Sequence, residues 1–71
     1  MLSAKERQER LAKLQALDEM ATSYKNKLIY KTYYGLEDGI SRSFEDTGRI
    51  FNITGEGVRL IVRKIDEIIK Q

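Results

Sequence analysis

The 71-residue chain contains no cysteine, no histidine and no proline. Without cysteine, disulfide staples are excluded, and with histidine also missing the usual zinc ligand sets are gone. The absence of proline leaves helices uninterrupted, so helix-on-helix packing is the expected route to a compact fold. No apolar run approaches the roughly 18–20 residues of a membrane span, and no charged leader followed by an apolar stretch marks export. An intracellular protein with no membrane association is therefore expected. There is also no nucleophile–base arrangement, no glycine-rich phosphate loop and no metal-ligand cluster. The adjacent acids Glu37/Asp38 and Glu45/Asp46 read as turn and cap residues rather than a catalytic pair. Neither an enzyme nor a cofactor is expected.

What is present is an ordinary soluble composition, 41% apolar or aromatic and 34% charged. A chain this short buries only about 60% of the surface its unfolded form exposes, so its core is small. The net charge is +2 and the isoelectric point about 9.0, too mildly basic to indicate nucleic acid by itself. Distribution says more. Lys25, Lys27 and Lys31 form a ladder, Leu36 to Asp46 is acidic apart from Arg42, and Arg49, Arg59, Arg63 and Lys64 lie beyond it. Such charges mark either a solvated face or a binding surface.

Ser3 followed by Glu6 has the form of a helix N-cap with its capping-box partner, which starts a helix at Ala4. Leu14, Leu17, Ala21, Tyr24 and Leu28 recur at helical spacing as one stripe. The part before it, Ala4 to about Ala16, is rich in polar residues and reads as a solvated extension. Thr22-Ser23 serves as a break, Tyr24 to Tyr34 as a second helix, and Gly35 as its stop. Gly35-Leu36-Glu37-Asp38-Gly39 is a loop. Ser43 caps a short helix from Phe44 to Phe51, with Asp46 completing a capping box. Gly48 inside it costs about 1 kcal/mol against alanine, which suggests a close approach of another helix there.

Asn52-Ile53-Thr54 is a tight connection, since Asn tolerates the left-handed conformation and Thr54 caps the next helix. That last helix runs from about Gly55 to Lys70. Val58, Ile61, Ile65 and Ile68 form its buried stripe, widened by Val62 and Ile69, with Arg59, Arg63, Asp66 and Lys70 opposite. Phe44, Thr47, Ile50, Phe51, Ile53, Val58 and Ile61 are the expected core of this half. A short helix, a three-residue turn and a longer helix with a basic outer face match the helix-turn-helix pattern. A plain helical bundle with a sharp turn matches it too.

Tyr34-Gly35-Leu36-Glu37-Asp38-Gly39 and Ser43-Phe44-Glu45-Asp46-Thr47-Gly48-Arg49-Ile50-Phe51-Asn52-Ile53-Thr54 resemble region 4 of the sigma factors of bacterial RNA polymerase. Ala16 to Met20 and Lys27 to Lys31 fall where that family has its preceding helices, so the similarity spans about residues 14 to 70. The resemblance implies an all-α fold of about four helices, with residues 1–13 an N-terminal helical extension and residues 14–71 the helix-turn-helix domain. It implies a bacterial or bacteriophage protein acting in the bacterial cytoplasm. The implied partners are double-stranded promoter DNA at its upstream element, entered by the last helix, and the flap of the polymerase beta subunit. The family's other regions have no room in 71 residues.

Thr54, Glu56 and Arg59 match the family's recognition helix, while Gly55 and Gly57 replace arginines, Leu60 replaces glutamine and Val62 replaces glutamate. Upstream, Tyr33 stands for a usual arginine, although Lys31 keeps its charge. On this reading Glu56, Arg59, Arg63 and Lys64 face the groove, where Arg reads guanine and Glu the cytosine amino group. Thr54, Ser43, Arg42 and Lys31 lie near phosphates. A competing expectation starts from Leu60. An apolar residue on that face suits a protein surface, and Val62, Ile69, Leu11 and Leu14 can extend it. The chain is then a degenerate sigma-like module that binds polymerase or a sigma partner without reading DNA.

Overall fold

Each of the four helices begins at a hydroxyl side chain that accepts a backbone N–H of its first turn. The computed structural model describes residues 2–70, and among them it holds α1 (Ala4–Ala16), α2 (Tyr24–Tyr34), α3 (Phe44–Phe51) and α4 (Gly55–Ile69), with no strand. Ser3, Ser23, Ser43 and Thr54 are the N-caps. Each satisfies one of the backbone donors that a helix start leaves unpaired. Only Ser3 completes a capping box, with Glu6. Asp46, expected to close the second box, pairs with Arg49 at 2.8 Å instead. No helix among the described residues is long and apolar enough to cross a membrane.

The stops are equally local. Gly35 ends α2 at φ 64°, and a Cβ there would lie 2.4 Å from the backbone of Ile40. Asn52 ends α3 in the same left-handed region, at φ 59°. Gly48 meets the backbone of the following turn, where a Cβ would stand 2.5 Å from the carbonyl oxygen of Ile53. The close approach expected there is real, and its partner is the turn that launches α4.

The core is Leu14, Ile29, Tyr30, Leu36, Val58, Val62 and Ile65, drawn from α1, α2 and α4 and, through Leu36, from the loop after α2. From α3, Thr47 is fully buried, and Phe44 and Phe51 pack on the core from its edge. Four expectations change here. The break expected at Thr22-Ser23 is there and α2 starts at Tyr24, but α1 already ends at Ala16 and Tyr24 is 66% exposed, so Leu14 to Leu28 do not form one buried stripe. Ile50 is exposed as well: Phe44, Gly48 and Phe51 face inward, and Ile50 falls on the opposite side of so short a helix. On α4 the buried row is Val58, Val62 and Ile65, with Ile61, Ile68 and Ile69 at its margins.

Finally, α1 is not a solvated extension. Arg7, Arg10, Leu11 and Leu14 turn inward at helical spacing, and a boundary between residues 13 and 14 falls inside this single helix.

Candidate nucleic-acid interface

On α4 the residues left outside are Glu56, Leu60, Arg63, Lys64 and Glu67, a row at helical spacing opposite the buried one. Arg59 sits half-buried at its flank. Its guanidinium donates through Nε to both Glu56 carboxylate oxygens, at 3.1 and 3.2 Å, and through Nη2 as well. That hydrogen bonding holds the Glu56 carboxyl below its usual range and raises the Arg59 guanidinium. Arg63 reaches Glu67 at 3.5 Å. Lys64 has no ion pair among the described residues. Thr54 Oγ1 accepts the Gly57 N–H at 3.0 Å, which orders the first turn despite its two glycines.

Five of the eight residues expected at a DNA surface therefore come together on one helix and its cap: Thr54, Glu56, Arg59, Arg63 and Lys64. The other three are engaged elsewhere. Lys31 pairs with Glu37 at 3.4 Å. Arg42 donates to the carbonyls of Thr32 and Ile40 and to Asp38 Oδ2, each at 3.0 Å, and so fastens the loop after α2. Asp38, accepting from the Ile40 backbone and from Arg42, is held below the usual carboxylate range. Ser43 is committed as the cap of α3, its Oγ accepting from Asp46 N at 3.0 Å. Engagement within the fold does not set these three apart, since Thr54 caps α4 and Arg59 bonds Glu56; their place does, because none of them lies on α4 or its cap.

The residues expected at a protein surface divide similarly. Leu60 is 51% exposed, as expected. It borders a groove between α4 and the connection from α1 to α2, whose other lining includes Ile61, Lys64, Ile65 and the exposed Met20. Leu14 is buried in the core and Leu11 packs against it, so α1 offers no patch through them. Val62 is also buried. Two positions along a helix is about 200° of rotation, so a residue two beyond Leu60 must face the opposite way. Val62 is a core residue and forms no part of the outer face.

Sequence reasoning missed a polar cluster on the other side of α4. Asp66, expected outside, accepts from Tyr30 Oη at 2.5 Å and Arg10 Nη1 at 3.0 Å through Oδ1, and from Tyr34 Oη at 2.6 Å through Oδ2. The Arg10 guanidinium also lies 4.7 Å from the Tyr34 ring centre, within range of a cation–π contact. Burial and the hydrogen bond to Asp66 push the Tyr34 phenol up to about 12, and the same causes raise Tyr30 further. Both phenols stay protonated as donors at neutral pH, so the cluster ties α1, α2 and α4 together and is not poised for proton transfer. Two tyrosines one turn apart on α2, and an acid amid the apolar positions 62, 65 and 69, were the available signal.

Among the described residues, no group of three acids gathers as a metal site. Comparisons of the chain with protein-family models, with curated proteins and with solved structures find no match.

Proposed function

We propose that this chain is a sigma-region-4-like transcription module that binds double-stranded promoter DNA with α4 in the major groove and contacts the flap of the RNA polymerase beta subunit. On this proposal it works in the bacterial cytoplasm and performs no catalysis. One observation carries the reading: α3, a turn closed by left-handed Asn52 and capped by Thr54, and α4 present an uncovered row with Arg63 and Lys64 on it. Helix-turn-helix proteins insert a helix held in this way, and an α-helix fits the major groove. The cations Arg59, Arg63 and Lys64 supply phosphate attraction, while Glu56 offers an acceptor to a cytosine amino group.

The test is fluorescence anisotropy of the protein with a promoter-type duplex and a scrambled one across a salt series. Binding constants fall with salt with a log–log slope of about −0.9 per phosphate neutralised, so three cations correspond to about −2.7. Tighter binding to the promoter duplex with a slope of that size supports the reading. Equal, weak and salt-insensitive binding to both duplexes overturns it. A second reading is favoured by the exposure of Leu60 and Met20 on one groove. It is a module that regulates transcription by binding polymerase or a sigma factor without reading DNA. Polymerase or sigma binding that persists without duplex binding, and that is lost in Leu60→Gln, distinguishes it.

A further inference from the structure

Leu60 is the one apolar side chain in α4's exposed row of Glu56, Leu60, Arg63, Lys64 and Glu67. It stands one helical turn after Glu56 and one before Lys64, with Arg63 beside it. Neighbours at such spacing lie about 5–6 Å apart, so all four side chains approach the same short stretch of any surface that α4 meets. Arg63 and Lys64 draw that surface's negative charge, yet Leu60 itself can form no hydrogen bond. In the major groove each base presents hydrogen-bond donors or acceptors at its edge, and thymine alone adds a methyl group. Leucine against a polar edge would strip water from donors and acceptors without replacing them, which is unfavourable. Leucine against the thymine methyl removes apolar surface from water on both sides.

We propose that Leu60 is a specificity-determining residue that selects thymine by packing on its 5-methyl group. This rests on the reading of α4 as a major-groove helix. The site differs in kind from readout by a polar side chain: discrimination comes from one methyl group and from the desolvation of wrong bases. Burying one methyl group corresponds to about a fourfold gain in binding. The preference is therefore modest and confined to the base pair facing Leu60. The exposed Met20 across the groove belongs to the α1–α2 connection and lies off the row.

The experiment selects duplexes from a randomised library with the intact chain. Each thymine of the selected duplex is then replaced singly by 2′-deoxyuridine, which deletes only the methyl group. One replacement is expected to weaken binding about fourfold in the wild-type chain, and to make no difference in Leu60→Gln. Lys64→Ala should weaken binding to every duplex and keep the thymine-to-deoxyuridine ratio. Salt-dependent duplex binding in which every deoxyuridine duplex binds like its parent overturns the thymine proposal and leaves the DNA reading standing. A ratio that survives Leu60→Gln assigns the methyl to another residue and also overturns it. No retention of any duplex at low salt overturns both, and turns Leu60 and Met20 towards a protein partner.

Discussion

Helix α4 carries two sets of ionic contacts, and Asp66 and Glu67, adjacent in sequence, belong to different ones. Asp66 faces inward, where Arg10, Tyr30 and Tyr34 donate to both its oxygens. Glu67 faces outward and meets Arg63 at 3.5 Å, with both side chains 66% exposed. The chemistry is alike and the surroundings decide its worth. Inside, the Tyr30 phenol is fully buried and water reaches Arg10 and Asp66 only at the edge of the cluster, so loss of the acceptor is costly. Outside, solvent screens the pair and competes for it, so the contact contributes little to stability and is free to be exchanged for a phosphate or a base. If α4 binds as proposed, stability and binding are drawn from opposite faces of one helix, and mutations on each face should separate the two properties.

The largest effect should come from breaking the inner set. Asp66→Ala removes the acceptor of three donors, one of them on the fully buried Tyr30, and is expected to cost about 2–3 kcal/mol. In a domain of this size that lowers the melting temperature by about 10 °C or more, which a circular-dichroism melt would show. A melt unchanged from wild type would mean that the cluster does not hold α1, α2 and α4 together.

Thr47 sharpens the same comparison with the opposite sign. Its hydroxyl is fully buried and, unlike those of Tyr30 and Tyr34, has no hydrogen-bond partner among the described residues. Thr47→Val keeps the shape and removes the unsatisfied group, and should stabilise by about 1 kcal/mol in urea denaturation. Destabilisation would show instead that the hydroxyl has a partner in solution.

High pH probes the inner set without mutation. Tyr34 holds its proton to about 12 in the fold against an ordinary phenol value of 10.0. A folded value raised above the unfolded one stabilises the fold below pH about 10, and that contribution is lost as pH rises towards 12. The urea midpoint should therefore fall across that window, and less steeply in Tyr34→Phe. An equal fall in both would place the effect elsewhere.

The smallest effect on stability belongs to the outer set. Arg63→Gln should leave the urea midpoint in place, yet flatten the salt dependence of duplex binding by about one unit of log–log slope. A shifted midpoint, or an unchanged slope, would contradict the division of labour between the two faces.

Much of this architecture was legible residue by residue. Ser3, Ser23, Ser43 and Thr54 start helices, and Gly35 and Asn52 stop them, through contacts within a few residues of one another. The exposure of Leu60 was legible too, because it lies off the apolar row of α4. Less legible was which side of a helix with mixed residues faces in. Arg7 and Arg10 share the inward face of α1 with Leu11 and Leu14, so its apolar pattern is half hidden. Ile50 misled for the converse reason: an apolar residue on a short helix need not lie on its buried side.

The amino-acid sequence by itself determined where each helix begins and where α2 and α3 end, since caps and left-handed stops are short-range hydrogen-bond and steric choices. It also determined that α4 has one apolar side and one charged side. Only the tertiary structure decided which charges are spent inside the fold. Arg10 and Asp66 are 56 positions apart, and Arg42 reaches back 10 positions to the carbonyl of Thr32. Whether a cation is bound by its own protein or left for a ligand depends on what packing brings beside it, and no local pattern encodes that neighbour.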